Sequence, residues 1–179
     1  MANPGLTGVL LVGGASRRFG SPKALAEWRG ETFAARAWRT LGEACEERLA
    51  VGKAADGLEL GFPLLDDGTP LRHPAAGIVA GLRAAAHEVC VFLPVDRPLV
   101  SAASLRALGG ACADAAVAQD GSPLPAAYRR DTLPVWEGRL ADELSLLGAL
   151  AGLEVRTVEL DPAELIDVNS PDDLRSLGR

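Results

Sequence analysis

The chain has 179 residues, of which 48% are hydrophobic and 23% charged, and its formal net charge is −6. This length fits one domain with a substantial core, and the composition excludes a mainly disordered chain. The acidic balance argues against a general nucleic-acid surface. No window approaches the ~18 consecutive apolar residues of a membrane span. We therefore expect a single domain over residues 1–179, without a nucleic-acid or membrane partner.

The cysteines and the first residues indicate the compartment. Cys45, Cys90 and Cys112 show no Cys-x-x-Cys spacing, and an odd number of thiols argues against a disulfide framework. The chain begins Met-Ala-Asn-Pro-Gly, which lacks the basic start and apolar run of a signal peptide. We expect reduced thiols and a cytoplasmic protein.

Apolar runs alternate with stretches of helical spacing from one end of the chain to the other. The predicted strands lie at residues 6–12, 48–51, 58–65 (the weakest), 89–93, 115–119 and 155–160. The predicted helices lie at residues 32–46, 74–88, 101–112, 140–150 and from 171 onward. Pro74 suits the first turn of its helix, and Ser101 is a good amino-terminal cap.

This alternation predicts a three-layer α/β fold with a mostly parallel central sheet. The run at residues 89–93 is the most strand-like and is expected to be central. Asp120-Gly121 predicts a hairpin, with a returning strand at 123–128 that its two prolines restrict to an edge or an irregular path. Ligands bind beyond the carboxyl ends of such strands, so the segments that follow them can converge.

The segment after the first strand has the features of a phosphate-binding loop. Its glycines, Gly13 and Gly14 among them, let a ligand approach the backbone amides, while Arg17, Arg18 and Lys23 supply positive charge. The pattern is neither a Walker loop nor a dinucleotide fingerprint. A turn that only redirects the chain is the alternative.

Asp96 is the candidate metal ligand. It follows the central strand between Pro94 and Pro98, each of which restricts the backbone. A carboxylate that faces phosphates needs a cation, and Mg²⁺ binds carboxylate and phosphate oxygens. The alternative is a loop aspartate that binds its own turn amides. Lys23 is the candidate group for stabilising charge that builds on phosphate oxygens.

Polar side chains follow two further strands. A carboxylate of Asp66 or Asp67 could accept hydrogen bonds from a guanine base, or the pair could simply cap a turn. Asn169 could supply an oxygen to the metal or to the second substrate, or it could serve only to begin the last helix. If this stretch is extended, Asn169 lies on the same face as Asp167. No pattern in the sequence supports a protein nucleophile.

Four motifs follow one another along the chain: LVGGASRRFGSPK at 11–23, PAAGI at 74–78, VDRP at 95–98 and DVNSPDDL at 167–174. With them the chain resembles, over nearly its whole length, the molybdenum cofactor guanylyltransferase family. The first motif is similar to that family's Leu-x-Gly-Gly-x-x-x-Arg-x-Gly-x-x-Lys. The resemblance implies a Rossmann-like nucleotidyltransferase fold.

The resemblance also implies the reaction: a terminal phosphate oxygen of molybdenum-bound molybdopterin attacks the α-phosphorus of GTP and expels pyrophosphate, with Mg²⁺ as cofactor. In it the backbone of the first loop, from Leu11 and Val12 to Gly13 and Gly14, contacts the nucleotide.

Side-chain roles follow from the same resemblance. Lys23 and Arg18 meet phosphate charge, Asp66 lies on the nucleotide side, Asp96 holds Mg²⁺, and Asn169 contacts the metal or the acceptor. Lys23, Arg18 and Asp96 are thus the expected catalytic residues.

The chain departs from the family pattern beside the expected base pocket. His73 stands where glycine is usual, Ala75 replaces leucine, and Gly52 falls where some members have asparagine. The segment 139–152 lacks the paired basic residues that some members carry beside the acceptor. A relative that uses CTP or another phosphorylated acceptor, and a nucleotide-binding module without turnover, are therefore the alternatives.

Overall fold

The computed structural model describes residues 5–13, 22–142 and 145–177. Its strands are β1 Leu6–Val12, β2 Glu27–Trp28, β3 Glu31–Thr32, β4 Glu47–Gly52, β5 Leu65–Asp66, β6 Val89–Pro94, β7 Ala115–Ala118, β8 Ala126–Arg129 and β9 Val155–Val158. Its helices are α1 Phe33–Ala44, α2 Pro74–Ala84, α3 Ala102–Ala111, α4 Leu133–Ala141, α5 Leu146–Leu150 and α6 Pro171–Ser176. Short 3₁₀ turns lie at Lys23–Leu25, Ala54–Asp56, Arg130–Thr132 and Pro162–Leu165.

Seven strands form one mostly parallel sheet in the order β5-β4-β1-β6-β8-β7-β9. Neighbouring strands run parallel except at β8, which is antiparallel to both β6 and β7. β6 is the fourth of the seven strands, so the prediction that it is central is confirmed. The carboxyl ends of β5, β4, β1 and β6 consequently meet at one edge of the sheet.

Helices cover both faces of the sheet, which confirms the three-layer α/β prediction. On one face α1 and α3 pack on Leu10, Val91 and Leu93, whereas on the other α2 and α4 pack on Val9 and Phe92. Neighbouring residues of β1 and β6 thus point into different cores, as the two-sided apolar pattern predicts. Within the described segments, no helix is both long and apolar enough to span a bilayer.

Residues 58–65 are mostly not a strand, contrary to the prediction, and only Leu65–Asp66 pairs with β4. The alternating apolar side chains do pack against the core, and Phe62 stacks on Trp38 with the ring centroids 4.3 Å apart. Gly61, however, has a φ of 77°, and Pro63 has no amide hydrogen, so the segment cannot form a regular ladder.

The returning strand of the hairpin is interior and regularly paired, between β6 and β7, so the prediction of an edge or an irregular path is wrong. Both prolines precede the strand, which begins at Ala126 only after Pro123 and Pro125. Every residue from Ala126 to Arg129 can therefore enter the ladder. The error came from treating prolines of the connection as part of the strand.

Two helix predictions are also corrected. The single helix predicted over 140–150 is in fact two: this range contains the carboxyl end of α4 and all of α5. The amino-terminal part of α4 was not predicted. Its start has a signal, because Pro134 lies in the first turn of α4 and Trp136 is fully buried. The helix predicted to run to Glu88 ends at Ala84.

Candidate functional site

The structure brings Lys23, Asp96 and Asn169 together at the carboxyl edge of the sheet. The Lys23 Nζ donates to Asp96 Oδ2 at 3.3 Å and to Asn169 Oδ1 at 2.8 Å. The three residues come from distant parts of the chain, since Lys23 is 73 residues from Asp96 and 146 from Asn169. The ammonium therefore lies between a carboxylate oxygen and an amide oxygen.

Asp96 is held by the connection that leaves β6. The Val95 amide donates to the Leu11 carbonyl at 3.2 Å, which continues the β1–β6 pairing, and the Arg97 amide then donates to the Pro94 carbonyl at 3.2 Å in a turn. The side chain of Asp96 remains 31% exposed. It is thus fixed at its backbone and accessible to a ligand.

Asn169 lies on an extended stretch that is hydrogen-bonded to this turn. The Val168 amide donates to the Asp96 carbonyl at 2.9 Å, and the Val168 side chain is fully buried. Asn169 then precedes α6, where its amide donates to Asp173 Oδ2 at 2.9 Å and Ser170 Oγ accepts from the Asp173 amide. The Asn169 amide lowers the pKa of the Asp173 carboxyl, so this cap is ionised at neutral pH.

The predicted phosphate-binding loop after β1 is described at its two ends. Gly14, Arg17 and Arg18 lie outside the described residues. At the amino-terminal end, Leu11 and Val12 close β1, and Gly13 is exposed, with no atom of the described residues within 4 Å of the position that a Cβ would take. No described residue therefore crowds Gly13, and a backbone contact with the nucleotide here stays a prediction.

Lys23 begins the short turn at the far end of that loop. The Leu25 amide donates to the Pro22 carbonyl at 2.9 Å, and the buried Ala24 side chain anchors the turn in the core. The Lys23 side chain is consequently only 14% exposed. The prediction that Lys23 and Asp96 lie on the same side of the sheet is met by their contact.

The two oxygen atoms that contact the Lys23 ammonium are also suitable ligands for a hard metal cation. Asp96 Oδ2 and Asn169 Oδ1 both approach one positive group, and Mg²⁺ prefers such carboxylate and amide oxygens. Across residues 5–13, 22–142 and 145–177, no three His, Cys, Asp or Glu side chains form a metal-binding group. A divalent ion at Asp96 would thus need oxygens from a substrate, as Mg²⁺ in phosphoryl-transfer sites does.

Asp66 acts as a turn cap in this structure. Its Oδ2 accepts from the Ala54 amide at 2.7 Å and its Oδ1 from the Gly68 amide at 2.8 Å. These backbone hydrogen bonds, that of Ala54 first, lower the pKa of the exposed Asp66 carboxyl. The structure therefore accounts for Asp66 without a ligand, and its role towards a base stays a prediction.

The position of Asp66 nevertheless suits one end of an extended ligand. β4 and β1 separate β5 from β6, so Asp66 lies roughly 14 Å from Asp96 at about 4.8 Å per strand. The open backbone at Gly13 follows β1, between those two carboxylates. A nucleotide laid across the strand ends would meet each in turn.

Asp67 has a different environment from Asp66. Its Oδ1 accepts from Lys53 Nζ at 2.6 Å, and the side chains of Asp67 and Lys53 are only 8% and 13% exposed. The same ammonium donates to the carbonyls of Thr69 and Leu71. Lys53 therefore fixes the loop that leads from β5 to α2.

Tight packing explains two residues beside the expected base pocket. A side chain at position 52 would collide with the carbonyl of Val12, so the path of β4 requires Gly52. A Cβ at Gly77 would lie 2.7 Å from Leu11 Cδ2, so α2 begins close to the end of β1. His73 Nδ1 caps α2 by accepting from the Ala75 amide at 3.1 Å.

Sequence reasoning gave no role to Lys53 or to Arg97. Arg97 is 7% exposed and donates through Nε to Asp167 Oδ1 at 2.7 Å. Its position directly after Asp96, within a motif, was the one signal available. The burial of both side chains depends on contacts with distant parts of the chain.

Residues 8–155 match the family described as MobA-like NTP transferase domain. Over most of its length the chain is also similar to proteins described as "probable molybdenum cofactor guanylyltransferase". That of Bacillus licheniformis is 34% identical over 94% of this chain and 94% of its own length. That of Bacillus subtilis is 31% identical over 94% of this chain and 92% of its own length.

Solved structures share the fold at lower identity. Molybdopterin-guanine dinucleotide biosynthesis protein A from Archaeoglobus fulgidus superposes with a TM-score of 0.81 at 23% identity, covering 95% of each chain. The 2-C-methyl-D-erythritol 4-phosphate cytidylyltransferase of Thermus thermophilus gives 0.71 at 20% identity, covering 96% and 98%. A Mycobacterium tuberculosis protein solved as a complex with manganese gives 0.71 at 23% identity, covering 97% of each chain.

Proposed function

The chain belongs to the MobA-like NTP transferase family, and we propose that it transfers GMP from GTP to the terminal phosphate of molybdenum-bound molybdopterin, releasing pyrophosphate. Relatives at 34% and 31% identity over nearly the whole chain are described as guanylyltransferases of this kind. The observation that carries the proposal is the meeting of Lys23, Asp96 and Asn169 beside the end of β1. The active unit is one domain covering the chain, in the cytoplasm.

The reaction requires positioning and charge neutralisation, and no protein nucleophile. A phosphate oxygen of the acceptor forms a bond to the α-phosphorus of GTP, and the bond from that phosphorus to the bridging oxygen breaks, so that pyrophosphate leaves with the electron pair. The backbone from Leu11 to Gly13, with Gly14 and Arg18 beyond it, holds the nucleotide. Lys23 stabilises the charge that develops on the phosphate oxygens.

Asp96 would hold Mg²⁺, with Asn169 as a neutral oxygen ligand or as a contact to the acceptor. The bound ion supplies positive charge that offsets the repulsion between the phosphates and the carboxylate. The Asp96 and Asn169 oxygens, which both accept from the Lys23 ammonium, support this assignment because the same atoms can bind a metal ion. A neighbour of the same fold solved with manganese is in keeping with a divalent ion.

A cytidylyl transfer is the second candidate. The fold is shared with a cytidylyltransferase at a TM-score of 0.71, so the fold alone does not choose the base. The expected base pocket lies at Asp66, whose two oxygens are already bound to backbone amides. Guanine selection therefore rests on the relatives and on the lone pairs that Asp66 retains.

The test is pyrophosphate release with each of the four nucleoside triphosphates, Mg²⁺ and a molybdopterin acceptor. We expect GTP to be preferred by at least ~10-fold over CTP, because a site that hydrogen-bonds one base leaves polar groups unpaired with another. A preference for CTP would replace guanylyl by cytidylyl transfer. GTP binding without pyrophosphate from any acceptor would identify a binding module without turnover.

Two variants at opposite ends of β6 make the test specific to the site. Asp96→Asn preserves the shape of the side chain but removes its charge, and we expect it to abolish metal-dependent transfer while the circular dichroism spectrum is unchanged. Glu88→Gln, at an acid 79% exposed just before β6, is the control and should transfer normally. Retained transfer by Asp96→Asn would remove Asp96 from the mechanism.

A further inference from the structure

Arg97 is a buried cation directly behind the proposed site. Its Nε donates to Asp167 Oδ1 at 2.7 Å and its Nη2 to Ser122 Oγ at 3.3 Å, while its Nη1 lies 3.6 Å from Asp120 Oδ2. The side chain is 7% exposed, whereas those of Asp120 and Asp167 are 38% and 45% exposed. One guanidinium thus joins the β6 connection to two other segments of the chain.

Stability alone does not account for a charge at this position. Nη1 is fully buried, and among the described residues it has no hydrogen-bond partner. A buried polar atom without a partner costs stability, and an apolar side chain of similar volume would avoid that cost. We therefore ask which segments of the chain the hydrogen bonds of Arg97 hold in position.

The segments that Arg97 joins are those that carry the proposed metal ligands. Asp96 precedes Arg97, and Asp167 belongs to the extended stretch that ends in Asn169. Two bonds connect them, from the Val168 amide to the Asp96 carbonyl at 2.9 Å and from Arg97 Nε to Asp167 at 2.7 Å. The first bond joins the backbone of the extended stretch to the backbone of the Asp96 turn. The second holds the Asp167 side chain, so that the stretch resists rotation away from Asp96.

We propose that Arg97 is a positioning residue that, through Asp167, sets the separation between Asp96 and Asn169. The inference rests on the proposed function, because it takes these two residues as the oxygens that meet the metal and the acceptor. The contact with Ser122 extends the same restraint to the connection between β7 and β8. A guanidinium can do this and an ammonium cannot, because its fork bonds two segments at fixed angles.

The experiment compares Arg97→Met, Arg97→Lys and Asp167→Ala with the unaltered protein. We expect Arg97→Met to weaken Mn²⁺ binding and to lower kcat by at least ~10-fold each, as changes behind metal ligands do. The KM for GTP should change by less than about twofold, because the backbone of the first loop is untouched. Mn²⁺ binding is measured by electron paramagnetic resonance with GTP present and no acceptor, so this readout is independent of turnover.

The other variants separate positioning from folding. Asp167→Ala, which removes the oxygen that accepts from Arg97 Nε, should reproduce the loss of Arg97→Met. The double variant should be no worse than either single one, because the two residues act as one unit. Arg97→Lys should lose about as much as Arg97→Met, because an ammonium lacks the fork that bonds both segments. Arg83→Met, which removes an exposed ion pair with Glu137 at the far end of α2, should change neither readout. The thermal midpoint of Arg97→Met should not fall, because the carboxylates that it leaves unpaired, those of Asp120 and Asp167, are 38% and 45% exposed and remain solvated.

Unchanged Mn²⁺ affinity and kcat in Arg97→Met and Asp167→Ala would overturn the inference, as would failure of the unaltered protein to bind Mn²⁺. If Arg97→Met does not fold, Asp167→Ala decides, since the Asp167 side chain is 45% exposed and its truncation leaves the core intact. If the unaltered protein releases no pyrophosphate but binds Mn²⁺, the proposed function fails. The difference in Mn²⁺ affinity between the variants then still decides the role of Arg97.

Discussion

Lys23 and Lys53 are the two lysines among 18 basic residues, and both contact carboxylates. Lys23 meets the partly exposed Asp96 at 3.3 Å, whereas Lys53 meets the buried Asp67 at 2.6 Å. The flexible lysine side chain with its compact ammonium group suits both positions, but the environments of the two ammonium groups differ. Lys23 faces the open edge of the sheet, and Lys53 is enclosed by carbonyl oxygens.

The Lys23→Ala variant should lose turnover and keep its fold. We expect kcat for pyrophosphate release to fall by ~10² or more, because Lys23 is the group assigned to stabilise charge on the phosphate oxygens. The far-UV circular dichroism spectrum should be unchanged, since the core contact of this turn is made by Ala24. A loss below about threefold would make Lys23 a surface residue with no part in the chemistry.

The Lys53→Met variant should lose stability. Removing the ammonium leaves Asp67 buried at 8% exposure without its cation, and breaking one partner of such a pair costs ~3 kcal/mol in the free energy of unfolding. Urea unfolding measures the change. The control is Arg72→Met, in which a 60% exposed arginine loses Asp56 from the same region, and its unfolding curve should be almost unchanged because a solvent-exposed ion pair contributes little. Equal losses in the two variants would contradict the role of Lys53.

The elements that the sequence predicts well are those whose pattern is local. β1 and β6 are apolar on both faces, and α1 and α3 have both an apolar stripe and a hydroxyl cap, from Thr32 and Ser101. The segment 58–64 shows the limit of this reasoning. Its alternation is real and its side chains are packed, but pairing depends on backbone angles at Gly61 that side-chain pattern does not report.

Two glycines in helices test how closely the helices pack on the sheet. At Gly81 of α2, a Cβ would lie 2.9 Å from both Phe92 Cε1 and Val9 Cγ1, so Gly81→Ala should destabilise the protein by ~1–3 kcal/mol through overpacking. At Gly138 of α4 a Cβ meets no atom within 4 Å in the part of the chain that the structure describes. Gly138→Ala should therefore stabilise by ~0.5–1 kcal/mol through helix propensity.

Thermal unfolding of the two glycine variants measures both changes. The pair is matched, because each adds one methyl group to a helix interior, and only the surroundings differ. Stabilisation by Gly81→Ala would mean that α2 stands further from β1 and β6 than the structure has it. Destabilisation by Gly138→Ala would mean that the exposed face of α4 is covered.

The meeting of Lys23, Asp96 and Asn169 could be predicted, because each motif follows a strand or precedes a helix. Parallel strands bring such positions to one edge without knowledge of any side-chain contact. What connects them could not be predicted. The Arg97–Asp167 pair spans 70 residues, and its burial depends on how the β7–β8 connection folds over the turn.

The three thiols predict how the stability of the whole molecule depends on alkaline pH. Desolvation raises the pKa of Cys45 and Cys90 to about 12 and that of Cys112 to about 11. An unfolded thiol titrates near pH 8.5, so above that pH the unfolded chain has lost protons that the folded chain retains. The folded state then binds more protons, and the free energy of unfolding falls as pH rises.

The contribution of one thiol can be measured separately at Cys90, which is fully buried. Between about pH 9 and pH 11 it should contribute a fall of ~1.4 kcal/mol per pH unit to the free energy of unfolding, measured with urea under reducing conditions. Cys90→Ala should be less stable at pH 7, yet its curve should descend less steeply by that amount, because its unfolded state has one fewer thiol to ionise. Parallel curves for the two proteins would show that the Cys90 thiol ionises as readily when folded, and that the sheet around it admits water.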